Sequence, residues 1–205
     1  MFDVIMGIFT DPKKEVDAAA KKPEMNKAVM LLVIFGVMLL VGSLLGKVAT
    51  NADIKFLDEL TILVIELVIV AVVALILKIA FDILSESKGN GYTKSLTAMT
   101  YGLIPIGAFL ILSPIMGYVG TEIIKATEYN SQAMLVWYFV TLAVTFFLSV
   151  HGFATMARGF SKLFNVDYIT VMMTMTVFGY AFYTVYFSFL LSILTMMQGL
   201  GGMYS

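Results

Sequence analysis

Apolar and polar positions alternate in long blocks along this chain. Uninterrupted apolar stretches are separated by short polar connections, and a helix needs about 20 apolar residues to cross a bilayer. The pattern predicts an all-α integral membrane bundle with five transmembrane helices. These spans cover about 28–45, 60–81, 96–119, 134–157 and 168–197.

Before the first span, residues 1–27 form a separate N-terminal segment. The first nine residues, MFDVIMGIF, are apolar but too short to span. They place Phe2, Ile5, Met6 and Phe9 on one helical face, which predicts a short amphipathic helix lying at the membrane interface. Asp11 and Pro12 then provide the N-cap and the first residue of a second short helix. The chain thus divides into this cytoplasmic segment and a transmembrane domain, 28–205.

Composition supports the membrane assignment and narrows the function. The 205 residues are 60% hydrophobic and 13% charged, whereas soluble domains average about 25% charged. Mean hydropathy is +0.94. The lipid bilayer is therefore the main partner, together with a membrane-protein partner or a second copy of the chain. The absence of a basic patch with interleaved aromatics excludes nucleic-acid binding.

Charge distribution predicts the orientation. Ten of the thirteen lysines and arginines fall in the N-terminal segment or in and beside the second and fourth interhelical connections. Positive loops stay on the cytoplasmic side, so we expect a cytoplasmic N terminus and an external C terminus. The expected location is the plasma membrane of a prokaryote.

The third span, MTYGLIPIGAFLILSPIMGYVG, carries residues that a helix interior tolerates poorly. Pro105 frees the carbonyl of Tyr101, and Gly102 leaves room for another helix to supply a donor. In lipid such a freed carbonyl must find a partner. We therefore expect a kinked or broken span at the centre of the bundle, built either for close packing or as a functional hinge or cavity.

This same span resembles the Yip-domain family, membrane proteins that interact with Ypt/Rab GTPases. The resemblance rests on Gly89-Asn90-Gly91-Tyr92-Thr93, on Tyr101-Gly102-Leu103-Ile104-Pro105 and on Asp11-Pro12-Lys13-Lys14. It implies five spans, a cytoplasmic N terminus and a short prokaryotic type of member. The long cytosolic region of the eukaryotic members has no counterpart here, so Rab-type GTPase binding is not carried over.

Two ionisable residues inside the spans are candidate sites. Glu66 is costly in a membrane and either hydrogen-bonds structurally or handles an ion or a proton. His151, followed by Gly152, is either packed at a helix crossing or part of a proton relay. One histidine and one carboxylate do not make a metal site.

Further candidates lie on the first and fifth spans. Gly42 and Gly46 form a small-xxx-small pattern that favours helix packing or dimerisation. The fifth span carries a hydroxyl ridge that acts either as helix–helix contact or as one wall of a polar cavity. Its members are Thr176, Tyr180, Thr184, Ser188 and Ser192.

Catalytic motifs do not occur in the sequence. It has no cysteine and lacks a phosphate loop, an HExxH motif and a nucleophile–histidine–acid set in a readable context. We therefore expect a protein that is not an enzyme and needs no cofactor. The preferred function is a scaffold or adaptor for membrane organisation or a membrane partner; the alternative is a small transporter or channel component that uses Glu66.

Overall fold

A computed structural model describes residues 1–85, 89, 91–128, 130–181 and 184. Throughout these residues the regular structure is helical. The helices are α1 (Phe2–Thr10), α2 (Pro12–Lys21), α3 (Met25–Ala49), α4 (Phe56–Leu84), α5 (Gly91–Ala126), α6 (Ser131–Phe164) and α7 (Tyr168–Ala181). The chain separates into two units, Met1–Val166 and Asp167–Ser205.

Four helices, α3 to α6, are long and apolar enough to cross a membrane. They contain the first four predicted spans and extend beyond each of them at both ends. The extensions carry polar and charged residues, such as Asn26 and Lys27 at the start of α3, that lower the hydropathy without ending the helix. The predicted fifth span begins with α7, and its continuation from 185 to 197 lies outside the described residues.

Helix α5 lies at the centre of the first unit. It packs against α3, α4 and α6 and also contacts α1 and α2. Its first half is almost entirely buried. On one side the Ser95 hydroxyl donates to the Ala74 carbonyl of α4 at 2.6 Å, and Lys78 and Asp82 of α4 form an ion pair of 3.1 Å. The central position predicted for the third span is therefore the one observed.

Both prolines of α5 lie inside a continuous helix. The expectation that the third span is broken is therefore wrong, because the helix continues through both prolines. A proline removes one intrahelical hydrogen bond, and the bonds of the flanking turns, together with burial against neighbouring helices, hold the chain helical. Pro105 is fully buried. The donor for the Tyr101 carbonyl stays a prediction.

The N-terminal helices pack against the bundle. Ile8 of α1 and Val16 and Ala19 of α2 are buried in one apolar cluster with Leu31 of α3 and with Tyr101 and Ile104 of α5. Pro12 begins α2, and the Asp11 carboxylate accepts from the Lys14 amide as the predicted N-cap.

The apolar face predicted for α1 is consequently divided. Ile5 and Phe9 pack against the buried cluster, while Phe2 and Met6 remain 73% and 46% exposed. The interfacial-anchor prediction missed Ile8 because it treated α1 as an isolated helix on a membrane. In the structure α2 follows α1 directly, and α1 packs against α2 and the bundle instead of lying alone on the membrane.

The second unit begins with α7. Asp167 precedes this helix and accepts from the Thr170 amide at 2.9 Å. The Thr170 hydroxyl and this amide hold the pKa of the exposed Asp167 carboxyl below its usual value. An acidic residue in this position caps the free amides of a helix start.

Candidate functional site

A cleft of about 390 Å³ opens between α3, α4 and the second half of α5. Its walls are mostly leucine and isoleucine side chains, and its polar groups come from two serines and two glutamates. The lining residues are Leu39, Leu40, Gly42, Ser43, Gly46, Glu59, Ile62, Leu63, Glu66, Leu110, Ser113 and Pro114.

Helical spacing brings the polar groups together. Glu59 and Glu66 are seven residues apart, so they share one face of α4, about 10 Å apart along its axis. Ser43 and Lys47 are four residues apart on α3. Both helices thus turn a polar stripe towards each other.

Gly42 lets α3 approach α5 closely beside the cleft, whereas Gly46, one turn further along α3, leaves more space. A Cβ built on Gly42 would lie 2.6 Å from the Leu110 carbonyl oxygen, and one on Gly46 would lie 4.0 Å from the Pro114 Cβ. Of the two outcomes left open for this pattern, the structure shows packing within one chain.

The two carboxylates of the cleft differ in their surroundings. Glu59 is 3% exposed, forms an ion pair with Lys47 and accepts a hydrogen bond from the Ser43 hydroxyl. Glu66 is half-buried two turns further into α4. Among the residues that the structure describes, its carboxyl has no ion pair and no side-chain hydrogen bond. Within the described part of the chain, the cleft therefore contains one compensated carboxylate and one without a partner.

The sequence did not indicate Glu59 and Lys47 as site residues. Both lie near helix ends, where charged residues are expected to meet water or headgroups, and neither interrupts an apolar run. A signal was nevertheless present, because Glu59 lies on the same face as Glu66. Pairing the two glutamates would have predicted a shared polar face on α4, but not which helix supplies the counter-ion.

Tyr101, Gly102 and Pro105 lie away from this cleft. Tyr101 is 1% exposed in the apolar cluster, with the Lys27 ammonium 6.0 Å from its ring centroid. Gly102 meets α6: a Cβ built there would lie 2.6 Å from the Gly152 carbonyl oxygen. The structure thus separates Glu66 from the Tyr101–Pro105 segment.

His151 joins α6 to the N-terminal helices. Its Nε2 donates to the Ile8 carbonyl oxygen at 2.8 Å. In a continuing α-helix that carbonyl would accept from residue 12, which is a proline without an N–H. His151 therefore satisfies a carbonyl that Pro12 leaves free.

The contacts of His151 and Arg158 with α1 and α2 are called the latch here. Besides the hydrogen bond, the latch includes ring stacking and an ion pair. Phe9 and Phe147 stack on His151 at centroid distances of 6.1 and 5.9 Å. Arg158 pairs with Asp17 of α2 at 3.5 Å. His151 thus contacts α1, and Arg158, about two turns further along α6, contacts α2.

We expect His151→Phe to loosen the latch. Phenylalanine can keep the ring stack but cannot donate to the Ile8 carbonyl, and an unpaired buried carbonyl costs about 1–3 kcal/mol. Amide hydrogen exchange across residues 2–21 should rise about tenfold. His151→Gln, which retains a donor, is the matched control and should recover part of the protection. Equal exchange in wild type and His151→Phe would contradict the role of this hydrogen bond.

The hydroxyl ridge belongs to the second unit. Thr176 donates to the Met172 carbonyl at 2.8 Å and Thr184 donates to the Tyr180 carbonyl at 2.9 Å, so both hydroxyls bond back to their own helix. Tyr180 is 74% exposed. Ser188 and Ser192 lie outside the described residues.

Within the part of the chain that the structure describes, no three or more His, Cys, Asp or Glu side chains lie close enough together to hold a metal ion. Comparison with known proteins adds no relative: no protein-family model, curated protein or solved structure matches this chain.

Proposed function

We propose that this chain is a non-enzymatic, multi-pass membrane scaffold that organises anionic lipid at the cytoplasmic leaflet. The observation that carries the proposal is the attachment of α1 and α2 to the bundle. These two helices form a platform, the name used below for residues 2–21.

The platform is attached by its inner face. Ile8, Val16 and Ala19 are 0%, 1% and 6% exposed, and the latch adds a hydrogen bond and an ion pair to α6. Packing of this kind removes the freedom that an interfacial helix on a flexible tether would keep. A fixed platform presents its outer side chains at a constant place beside the spans, as a scaffold requires.

The platform exposes cations and apolar side chains, alongside two exposed aspartates. Lys13, Lys14 and Lys21 are exposed on α2, and Phe2 and Met6 are exposed on α1. Lysines beside exposed apolar residues are typical of segments that lie in an anionic interface. Each lysine near such a surface contributes about 1 kcal/mol. The occupant we assign to this exposed surface is the anionic headgroup layer.

The same proposal includes the finer topology. The proposed protein has five spans, the fifth at 168–197. Its N terminus is cytoplasmic and its C terminus is external, in a prokaryotic plasma membrane. The support is the lysine and arginine distribution and the apolar length after Asp167. A short Yip-domain type of protein would have this topology.

Packing near the platform favours a scaffold over a transporter. Tyr101, Ile104 and Leu31 fill the space beneath α1 and α2. The Glu66 cleft lies along the opposite half of α5, between Leu110 and Pro114. A transport path would have to join the two regions through this filled cluster.

The test replaces Lys13, Lys14 and Lys21 together by glutamine in the full chain, reconstituted in phosphatidylcholine nanodiscs. The association of spin-labelled phosphatidylglycerol, relative to labelled phosphatidylcholine, is measured by electron paramagnetic resonance. We expect the preference for the anionic lipid to fall at least tenfold, given about 1 kcal/mol per lysine.

The control replaces the same three lysines by arginine, which keeps the charge and should keep the preference. In 1 M salt the wild-type preference should also disappear, since exposed charges are screened over about 3 Å. An unchanged preference in the glutamine variant would refute the proposal.

A further inference from the structure

We propose that the cleft between α3, α4 and α5 is a binding site for a hydrophobic amine, whose ammonium group pairs with Glu66 and whose apolar body lies along the leucines. This inference goes beyond the scaffold role, which depends on the opposite part of α5 and on the platform.

The charge balance of the cleft supports a cationic ligand. Lys47 and Ser43 both serve Glu59, which leaves Glu66 as the carboxyl without a partner among the described residues. An unpaired charge in apolar surroundings is costly, so Glu66 must either carry a proton or face a cation. A cation that enters the cleft would form an ion pair with Glu66, just as Lys47 forms one with Glu59.

The cleft walls limit what that cation can be. Leu39, Leu40 and Leu110 surround the end at which Glu66 lies, because these are the innermost lining positions of α3 and α5. A small hydrated metal ion would leave these walls in contact with water. A hydrophobic body attached to the ammonium covers them and gains from burial.

The size of the cleft also fits an organic ligand. Its volume of about 390 Å³ falls in the lower part of the range for small-molecule sites, about 300–1,000 Å³. Such sites are mostly apolar and contain a few polar groups that orient the ligand. Here Glu66 fixes the ammonium, and the serine hydroxyls of the cleft lie towards the outer end of the site.

The depth of Glu66 explains why the ligand must be hydrophobic. At 1.5 Å per residue, Glu66 lies about 15 Å along α4 from Phe56. A hydrophilic amine would pay a large desolvation penalty at that depth. A ligand that partitions into the bilayer through its apolar body is already concentrated beside the cleft.

The experiment uses phenylbutylamine as the probe and phenylbutanol as its neutral counterpart of similar shape. Binding of tritiated phenylbutylamine to the full chain in phosphatidylcholine nanodiscs is measured, with empty nanodiscs subtracted. We expect saturable binding, with phenylbutanol competing at least tenfold more weakly than the unlabelled amine. Glu66→Gln should reduce amine affinity at least tenfold and leave the weak binding of the alcohol unchanged.

Two variants serve as controls. Asp58→Asn makes the same chemical change at an exposed residue of α4 and should leave affinity unchanged. Gly46→Leu should fill the cleft and weaken both probes, because a Cβ at Gly46 has its nearest neighbour at 4.0 Å. Gly46→Leu keeps Glu66 in place and therefore tests the site even if Glu66→Gln does not fold.

Three results would overturn the proposal. One is the lack of saturable binding above that of empty nanodiscs. Another is equal competition by amine and alcohol, which would mean that charge is not recognised. The third is an equal effect of Glu66→Gln and Asp58→Asn, which would place the amine outside the cleft.

Discussion

Gly102→Ala should lower the free energy of unfolding by about 2–3 kcal/mol, while Gly117→Ala on the same helix should not lower it. A Cβ on Gly102 would lie 2.6 Å from the Gly152 carbonyl oxygen and 2.6 Å from the Met156 Cβ. The first of these atoms belongs to the backbone of α6, so the helices would have to separate. Overpacking a tight contact typically costs about 1–3 kcal/mol.

Gly117 provides the matched control. Among the described residues, no atom beyond its chain neighbours and the nearby backbone of its own helix lies within 4 Å of a Cβ built there. Alanine favours a helix over glycine by up to about 1 kcal/mol. Unfolding can be followed through the fluorescence of Trp137, the only tryptophan, whose indole contacts α5 at Gly120. Equal stability of the two alanine variants would show that α5 and α6 do not cross at Gly102.

Lys47→Met should destabilise the fold by about 3 kcal/mol. The Lys47 ammonium pairs with Glu59, whose side chain is 2% exposed. Removing one partner of a buried ion pair leaves an uncompensated charge, which typically costs about 3–5 kcal/mol. Because Lys47 is itself 32% exposed, we place the effect at the lower end. The measurement is the same tryptophan-detected unfolding in detergent micelles.

A second substitution separates lost charge compensation from lost packing. Glu59→Gln added to Lys47→Met removes the buried charge and should recover more than 1 kcal/mol. Lys125→Met is the surface control, because Lys125 and Glu122 are 55% and 51% exposed and such pairs contribute about 0–1 kcal/mol. If the double variant is no more stable than Lys47→Met, the charge on Glu59 is not what the lysine compensates.

Hydropathy and small-residue patterning were enough to predict the bundle. Four apolar runs became α3 to α6, and the central place of α5 followed from Gly102 and Pro105, residues that are tolerated only where another helix lies close. The helices extend beyond the predicted spans, because a helix continues through polar residues once its hydrogen bonds are propagating.

The candidate site was only half predictable. Glu66 stood out because a carboxyl in an apolar run is rare. Its relation to Glu59, Ser43 and Lys47 depends on how α3 and α4 face each other, and sequence periodicity does not specify that. The latch was invisible for the same reason, since neither Pro12 nor His151 indicates its partner.

The hydrogen bond between His151 and the Ile8 carbonyl has a consequence for the order in which the protein is assembled. Ile8 and His151 are 143 positions apart, so the last turn of α1 lacks its donor until α6 has been made. Helix α1 leaves the ribosome before α6 but reaches its final contacts only after α6 has been made. Until α6 has been made, the platform can pack only against the earlier helices α3 and α5.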